Sequence, residues 1–475
     1  MENISVSAQE QSETGLKKKY GFFTAVAMVV GCVVGSGIFF RSGRVINETG
    51  GDLFTGVMAW LIGGLIMFVC AFTFSMMSRK IAKANGFIDY SEEFVGKKYS
   101  YIVGWILSVL HGPCNASALA IVAANFTAVL FKVPNYDYSS WVMGLGAFYL
   151  IFIFCITNLA PKLAGKLQVS TTAIKLVPIV IVGTIGIIIG IARGASVADI
   201  PEFPGFKSSG FNGMIAAVVT VSFAYTGWDN VAALNSEIKN PKKTVPFALV
   251  TGGILIVVLY VLFFIGIHSA GNTQEIAMDR YVGLYKAVEI LFSPAASSIF
   301  LVFVIISCLG TCNGYTMACN KHMYGIAVRG RGPKPSMMTE KSAHSDSTLN
   351  AALVVFIFTA FWFFMFQFQL GQTLWVVGKD DGGFAPDDLA VIAFYAMCIP
   401  LFFMFMVKFK ETHWFVRFVL PILAILSAGF VIGSSFQSRP LMTVIYVAVI
   451  VLVSTVPFIW YNQKRGKLNM AEEYE

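Results

Sequence analysis

Twelve apolar runs lie between about residue 21 and residue 461, each long enough to cross ~30 Å of hydrocarbon. A chain built this way cannot fold in water. Its residues are 56% hydrophobic and only 13% charged, against ~25% charged in an ordinary soluble domain. A soluble interior cannot hide the excess, because surface falls too slowly with size. The mean hydropathy of +0.72 equally excludes intrinsic disorder, which needs low hydrophobicity and high charge. Lipid offers no hydrogen bonds, so each run must satisfy its own backbone and is expected to be a helix. The expected fold class is an all-α polytopic membrane protein with twelve transmembrane helices.

The basic residues set the orientation. With the N-terminus inside, Lys17–Lys19, Arg79, Lys80, Lys97, Lys98, Arg329, Arg331 and the terminal Lys464, Arg465 and Lys467 all fall inside. Far fewer, among them Arg41, Arg44 and Arg439, fall outside, as the positive-inside rule requires for an even number of spans. Both termini are therefore expected to be cytoplasmic, in a plasma (inner) membrane. The first run lacks a cleavage-site pattern and reads as a retained span, not a signal peptide. The eight Cys all lie in apolar stretches, so no disulfide framework is visible. Cys308, Cys312 and Cys319 read as packing residues, not metal ligands. Asp380, Asp381, Asp387 and Asp388 read as an acidic, solvated outside loop, and the weakest span boundary lies near 370–386.

Two runs are interrupted. The first reads VVGCVVGSGIFF, with Gly31, Gly35 and Gly37 around Ser36. The sixth reads VSFAYTGWDNVAALNSEIKNP, with Gly227 followed by Trp228 and Asp229 at mid-span. Glycine weakens a helix by ~1 kcal/mol relative to alanine, and freed backbone is tolerated at this depth only where it lines a cavity. An intramembrane Asp is by default a functional residue. Interruptions in the first and sixth spans match an inverted repeat of five helices, the best sequence pointer to a transporter site. Half-helix N-termini suit a carboxylate, and half-helix C-termini suit an ammonium. Together they complement an α-amino acid zwitterion.

Of the 34 Lys and Arg, Lys175 alone sits inside a run, LQVSTTAIKLVPIVIVGTIGIIIG. It lies too deep for its ammonium to snorkel readily to water. Three readings stay open: a cation in a polar crevice without a transport role, a fixed charge replacing a coupling ion, or a proton-exchanging group. The last two need oxygens nearby. The broken first span and the hydroxyls of Ser307 and Thr311 are the candidates.

The first-span motif VVGSGIF, the sixth-span FAYTGWDN with SEIKNPKKTVPFAL after it, and LGTCNGYTMACNKHMYGIAVRGRGPKP resemble the amino acid–polyamine–organocation superfamily. The likeness is closest to the L-type amino acid transporters and their bacterial relatives, and runs from about residue 17 to 460. It implies the leucine-transporter fold, a 5+5 inverted repeat plus two C-terminal helices, and alternating access. The implied organisation is a tail over 1–19, repeats over 20–192 and 193–410, added helices over 411–461 and a tail over 462–475. By resemblance, Gly35, Ser36 and Gly37 hold the substrate carboxylate and the Val33 carbonyl takes the α-amino group. Phe223 is the gating aromatic, Ala224 and Thr226 face the substrate, and Lys175 stands in for a sodium ion. Gly227 marks the second break. Trp228 is either a site aromatic or a packing residue.

Departures from the family pattern bear on substrate. Thr226 stands where the large-neutral transporters often have Gly, which narrows the pocket. Asp229 stands where they usually have Asn, and could attract a cationic side chain, form a proton site or bond the tenth span. Lys321 and GRGPKP depart from the usual loop, which bears on an inner gate contact. His111-Gly112-Pro113 resembles a family proline kink; Asn115 could line the pocket, and His111 either bonds locally or titrates. The segment FKVPNYDYSS carries no Cys, so no disulfide-linked heavy chain is expected, and the short tails fit a stand-alone, prokaryotic protein.

No GxxxxGK[ST], HExxH or Ser-His-Asp pattern occurs, so neither ATP drive nor an enzyme is indicated. No cofactor, metal or nucleic-acid partner is expected; the inside basic loops read as topology signals. The leading expectation is a secondary amino acid transporter for small to medium neutral substrates, working by sodium-independent exchange or proton-coupled uptake. The alternatives are a cationic amino acid or polyamine carrier, and a non-transporting sensor or channel.

Overall fold

The computed structural model describes residues 21–35, 37–80, 86–134, 139–192, 210–228, 238–271, 276, 282–340, 348–370 and 386–463. Within these, ten helices are long and apolar enough to cross a membrane unaided. The first run is a pair, α1 (Phe22–Val33) and α2 (Gly37–Glu48), bent by 48°. The sixth run contributes the shorter α9 (Gly210–Ala224). Each of the twelve expected runs thus contains helix among the described residues.

Between the first and sixth runs lie α3 (Leu53–Lys80), the short α4 (Phe87–Phe94), α5 (Lys97–Ile106), α6 (Gly112–Leu130), α7 (Ser140–Leu159) and α8 (Pro161–Ala192). After α9 come α10 (Pro241–His268), α11 (Val282–Leu291), α12 (Pro294–Val328) and the short α13 (Pro335–Thr339). The chain continues with α14 (Leu349–Leu370), α15 (Pro386–Lys408), α16 (Leu420–Ser438) and α17 (Pro440–Gln463). Local chemistry sets several starts. Ser139 and Ser293 cap α7 and α12 by accepting from the amides of Val142 and Ala296. Pro294 occupies the first turn of α12, where a missing N–H costs nothing.

The helix α6 is the centre of the bundle. Every residue from Gly112 to Val129 is buried. A helix apolar all round must be enclosed, and its many Ala let neighbours approach closely. Its most extensive partner is α12. The peripheral α16 and α17 are the opposite case, with only 22% of each span buried and side chains such as Leu426 and Leu452 turned outward to lipid. Small residues also join α8 to α10: a methyl on Gly186 would meet the Gly266 carbonyl oxygen at 2.5 Å.

Two local expectations need correction. The first run does not end near residue 40; α2 stays helical to Glu48. Arg41 is therefore buried, and Arg44 pairs with Glu48 one turn on, at 2.8 Å. The irregularity near His111 begins before the proline. A π-turn spans Leu107–His111, and Pro113 lies harmlessly in the first turn of α6. Insertions of this kind bend helices and cluster at functional sites.

Candidate functional site

The helical ladder of α1 stops at Val33, and Val34 turns extended (φ −68°, ψ 98°). The α9 ladder stops at Ala224, and Gly227 takes φ +103°. The two breaks fit against each other. A methyl on Gly37 would meet the Ala224 Cα at 2.6 Å, and one on Gly227 would meet the Cys32 carbonyl oxygen at 2.7 Å. Gly227 is thus required twice, for its left-handed backbone and for the close approach.

Each break leaves backbone groups without helical partners. The carbonyls of Val33 and Ala224 end α1 and α9, and both face the hydroxyl of Tyr260 on α10. The Tyr260 oxygen lies 3.1 Å from Val33 O and 3.0 Å from Ala224 O, and the side chain is fully buried. One hydroxyl carries one proton, so Tyr260 fully satisfies one carbonyl at a time. Gly37 opens α2, whose first amides have no intrahelical acceptor and favour an anion.

A small cavity lies between the breaks. Cys32, Val33, Gly35 and Gly37 line one side; Phe223, Ala224 and Thr226 line the other. Leu119 from α6 and Thr311 and Tyr315 from α12 close the third. The described lining residues carry no charge. Amide donors at one edge and the Val33 and Ala224 carbonyls, which share one Tyr260 proton, at another give it the polarity of a zwitterion acceptor.

Lys175 lies behind the first break, fully buried on α8. Its ammonium donates to the Gly31 carbonyl, and the Thr311 hydroxyl stands 3.4 Å away. Thr311 directs its own proton to the Ser307 carbonyl at 3.0 Å, which leaves its oxygen free to face the ammonium. The Ser307 hydroxyl is buried without a hydrogen-bond partner. The cation thus ties α8 to α1 and α12 beside the cavity.

Charges close both ends of the bundle. At one end the Arg41 guanidinium bonds Asp387, lies 3.4 Å from Asp388 and stands 4.8 Å over the Phe223 ring. Arg439 pairs with Asp388 at 3.0 Å. Asp387 and Asp388 are therefore not a solvated loop. They occupy the first turn of α15, where a negative charge is favoured, and Arg41 draws them in. Asp380 and Asp381 lie outside the described residues. At the other end Arg329 bonds Asp89 and meets Glu92 at 2.9 Å, and Arg331 meets Glu92 at 3.0 Å. Burial opposes ionisation of Glu92, but Arg331 and Arg329 outweigh it and hold the carboxyl below its ordinary range. Both arginines of the departed loop motif are thus engaged with α4.

The structure brings Val33, Gly35, Gly37, Phe223, Ala224, Thr226 and Thr311 to one cavity, with Gly227 against its floor and Lys175 and Ser307 behind it. Ser36 and Asp229 lie outside the described residues. Asn115 does not line the cavity. Its amide donates to the His111 carbonyl at 2.7 Å, and Leu119, one turn on, forms the wall. The His111 ring bonds the Ala390 carbonyl at 3.0 Å and stacks on Phe394. Trp228 packs edge-on against Phe74 and Phe394. Sequence reasoning missed Tyr315, Leu119 and Tyr260. Tyr315 was accessible from its place one turn after Thr311; Tyr260 had no local signal. No cluster of three or more His, Cys, Asp or Glu suited to a metal occurs among the described residues.

Two abutting helix breaks around a central cavity define a membrane transporter of the leucine-transporter fold. Solved structures share that fold. MhsT, crystallised with L-phenylalanine, matches with a TM-score of 0.55 at 14% identity, covering 92% of this chain and 99% of its own. A manganese transporter of Eremococcus coleocola matches with a TM-score of 0.56 at 15% identity, covering 95% of this chain and 97% of its own. Residues 20–469 match the amino acid permease family, and the chain belongs to it. This is a family of membrane transporters, not enzymes. The serine/threonine exchanger SteT of Bacillus subtilis (strain 168) is 26% identical over 467 residues, 96% of this chain and 99% of that protein. The human b(0,+)-type amino acid transporter 1 is 24% identical over 320 residues, 67% of this chain and 65% of that protein.

Proposed function

We propose that the protein is a secondary active transporter that exchanges small to medium neutral amino acids by alternating access, without sodium. The observation that carries this reading is the uncharged cavity between two helix breaks, with the N-terminus of α2 at one edge and the Val33 and Ala224 carbonyls at another. The substrate carboxylate meets the α2 N-terminus at Gly35 to Gly37, and its ammonium meets the Val33 carbonyl. Phe223 roofs the site and Thr226 narrows it. Lys175 supplies a fixed positive charge where a coupling cation would otherwise bind, so the carrier is not driven by sodium. SteT, aligned over almost the full length of both chains, is an exchanger, which supports exchange here.

Residues 20–192 and 193–410 form the two five-helix repeats that rock about the site, and 411–461 add two peripheral helices. The carrier works in the plasma membrane with both termini cytoplasmic, which places the Arg41 cluster outside and the Arg329 cluster inside. The absence of Cys from FKVPNYDYSS supports function without a disulfide-linked heavy chain. The test is counterflow in proteoliposomes loaded with unlabelled neutral amino acids and offered labelled ones. Exchange predicts accumulation that depends on internal substrate and ignores sodium. Accumulation driven only by an imposed pH gradient would replace exchange with proton symport, and binding without flux would make the protein a sensor.

A further inference from the structure

The turn between α15 and α16 carries more cation and more aromatic surface than joining two spans requires. A π-turn over Phe415–Val419 leads into α16, an irregularity that recurs at functional sites. Arg417 lies within it, half-buried. Its Nε donates to the Met406 carbonyl at 2.8 Å, and its guanidinium stands 4.6 Å over the Phe418 ring. A guanidinium has five N–H donors in a planar fork. Four therefore remain, and none meets an acceptor among the described residues. Lys410 is exposed and makes no ion pair among the described residues. Lys408 donates to the Glu93 carbonyl at 2.6 Å, which sets the turn at the Arg329 end of the bundle. Glu411 is the one acid between Lys408 and Phe418. Trp414, Phe415 and Phe418 are 63%, 45% and 40% exposed. Ile422 and Leu426, also exposed, follow Phe418 at four-residue steps, so one face runs from the cations to acyl depth.

We propose that this turn binds an anionic phospholipid, with the phosphate on the Arg417 fork and Lys410 and an acyl chain along Phe418, Ile422 and Leu426. A planar guanidinium meets two phosphate oxygens at once. The Met406 carbonyl and the Phe418 ring hold the fork in place before the lipid arrives, so little freedom is lost on binding. The exposed rings suit the boundary between headgroups and hydrocarbon. A basic loop that only sets topology needs no such fixed geometry. A zwitterionic lipid offers the same phosphate but sets its own ammonium against Lys410 and Arg417, so net charge decides between lipids. None of these residues lines the substrate cavity, and the lipid site stands or falls independently of the transport reading.

Purified protein in a neutral detergent is titrated with phosphatidylglycerol or with phosphatidylcholine of the same acyl chains, and its melting temperature is followed. Phosphatidylglycerol is expected to stabilise with a half-saturating mole fraction at least about tenfold lower, and the difference to shrink as salt rises. Lys410→Gln breaks no side-chain contact among the described residues and raises that fraction about fivefold. Arg417→Gln raises it at least as much. Lys162→Gln, which removes an exposed cation from α8, leaves it unchanged. Should Arg417→Gln fail to fold, Lys410→Gln still decides. Equal half-saturation for the two lipids overturns the site, as does a preference that survives Lys410→Gln. An equal loss in Lys162→Gln also overturns it, because diffuse surface charge then suffices. The same stabilisation by glycerol phosphate without acyl chains would replace the lipid site with one for free phosphate.

Discussion

Tyr260→Phe removes one oxygen from a fully buried position and changes no shape. Tyr260 shares one proton between the carbonyls of Val33 and Ala224, at 3.1 and 3.0 Å. In the empty carrier one of the two always lacks a full donor. A bound ammonium takes Val33, Tyr260 turns wholly to Ala224, and both are met. In the Phe variant the empty site has two unmet carbonyls and the loaded site has one, Ala224, so each state loses one met carbonyl relative to the wild type. A buried unmet acceptor costs about 1–3 kcal/mol. The penalty falls equally on both states, so the variant loses stability while the balance between empty and loaded carrier is unchanged. The assay compares loss of labelled substrate from proteoliposomes into buffer with and without external unlabelled substrate, beside the melting temperature of the solubilised protein. The melting temperature is expected to fall, with the exchange-to-efflux ratio and the half-saturation for exchange both within about twofold of the wild type. A half-saturation raised about tenfold would refute the proton count, because Tyr260 would then bind substrate directly.

Lys175→Ala should cut counterflow more than about tenfold at unchanged surface abundance, since it leaves the Gly31 carbonyl and Thr311 without their cation; unchanged uptake across pH would sink the fixed-charge role. Arg41→Met should loosen the roof over Phe223, leaving Asp387 and Asp388 in the α15 turn with a lost partner. In a background retaining only Cys32, a half-buried thiol on the cavity wall, faster labelling by an impermeant reagent from outside, slowed by substrate, is the expected result. Glu92→Gln should lower the melting temperature of the detergent-solubilised protein by a constant amount between about pH 5 and 8. Its carboxyl is held below the ordinary ~4.3 by Arg331 and Arg329 against the opposing effect of burial. Stability from a lowered carboxyl is present above its unfolded value and lost as pH falls through the folded one. The gap should therefore close only in stronger acid; a gap that closes near neutrality argues against the pairing.

The parts of this architecture written in local pattern were legible. Apolar length marked the runs, a glycine cluster marked the first break, Gly227 beside Asp229 marked the second, and depth marked Lys175. Relations between distant segments were not. Arg41 reads as an outside loop charge because hydropathy weighs a residue by its neighbours in sequence, yet its partner Asp387 is 346 positions away. The same blindness turned Asp387 and Asp388 into a solvated loop. Asn115 reads as a pocket residue from its place beside the proline, whereas a short amide in a helix bonds the carbonyl one turn back and leaves the facing position to Leu119. Tyr260 lies in GGILIVVLYVLFF, where nothing local distinguishes a clamp from an apolar ring.

The wholly enclosed α6 has a consequence for life in different membranes. Its solvent is protein alone, while α16 and α17 meet the acyl chains. When a bilayer thickens or thins, mismatch is absorbed by tilt and local deformation at lipid-facing helices. The Leu119 wall of the cavity belongs to a helix with no such contact. Bilayer thickness therefore acts first on the rim of this carrier, and the Leu119 wall of its binding chamber is the side insulated from lipid composition.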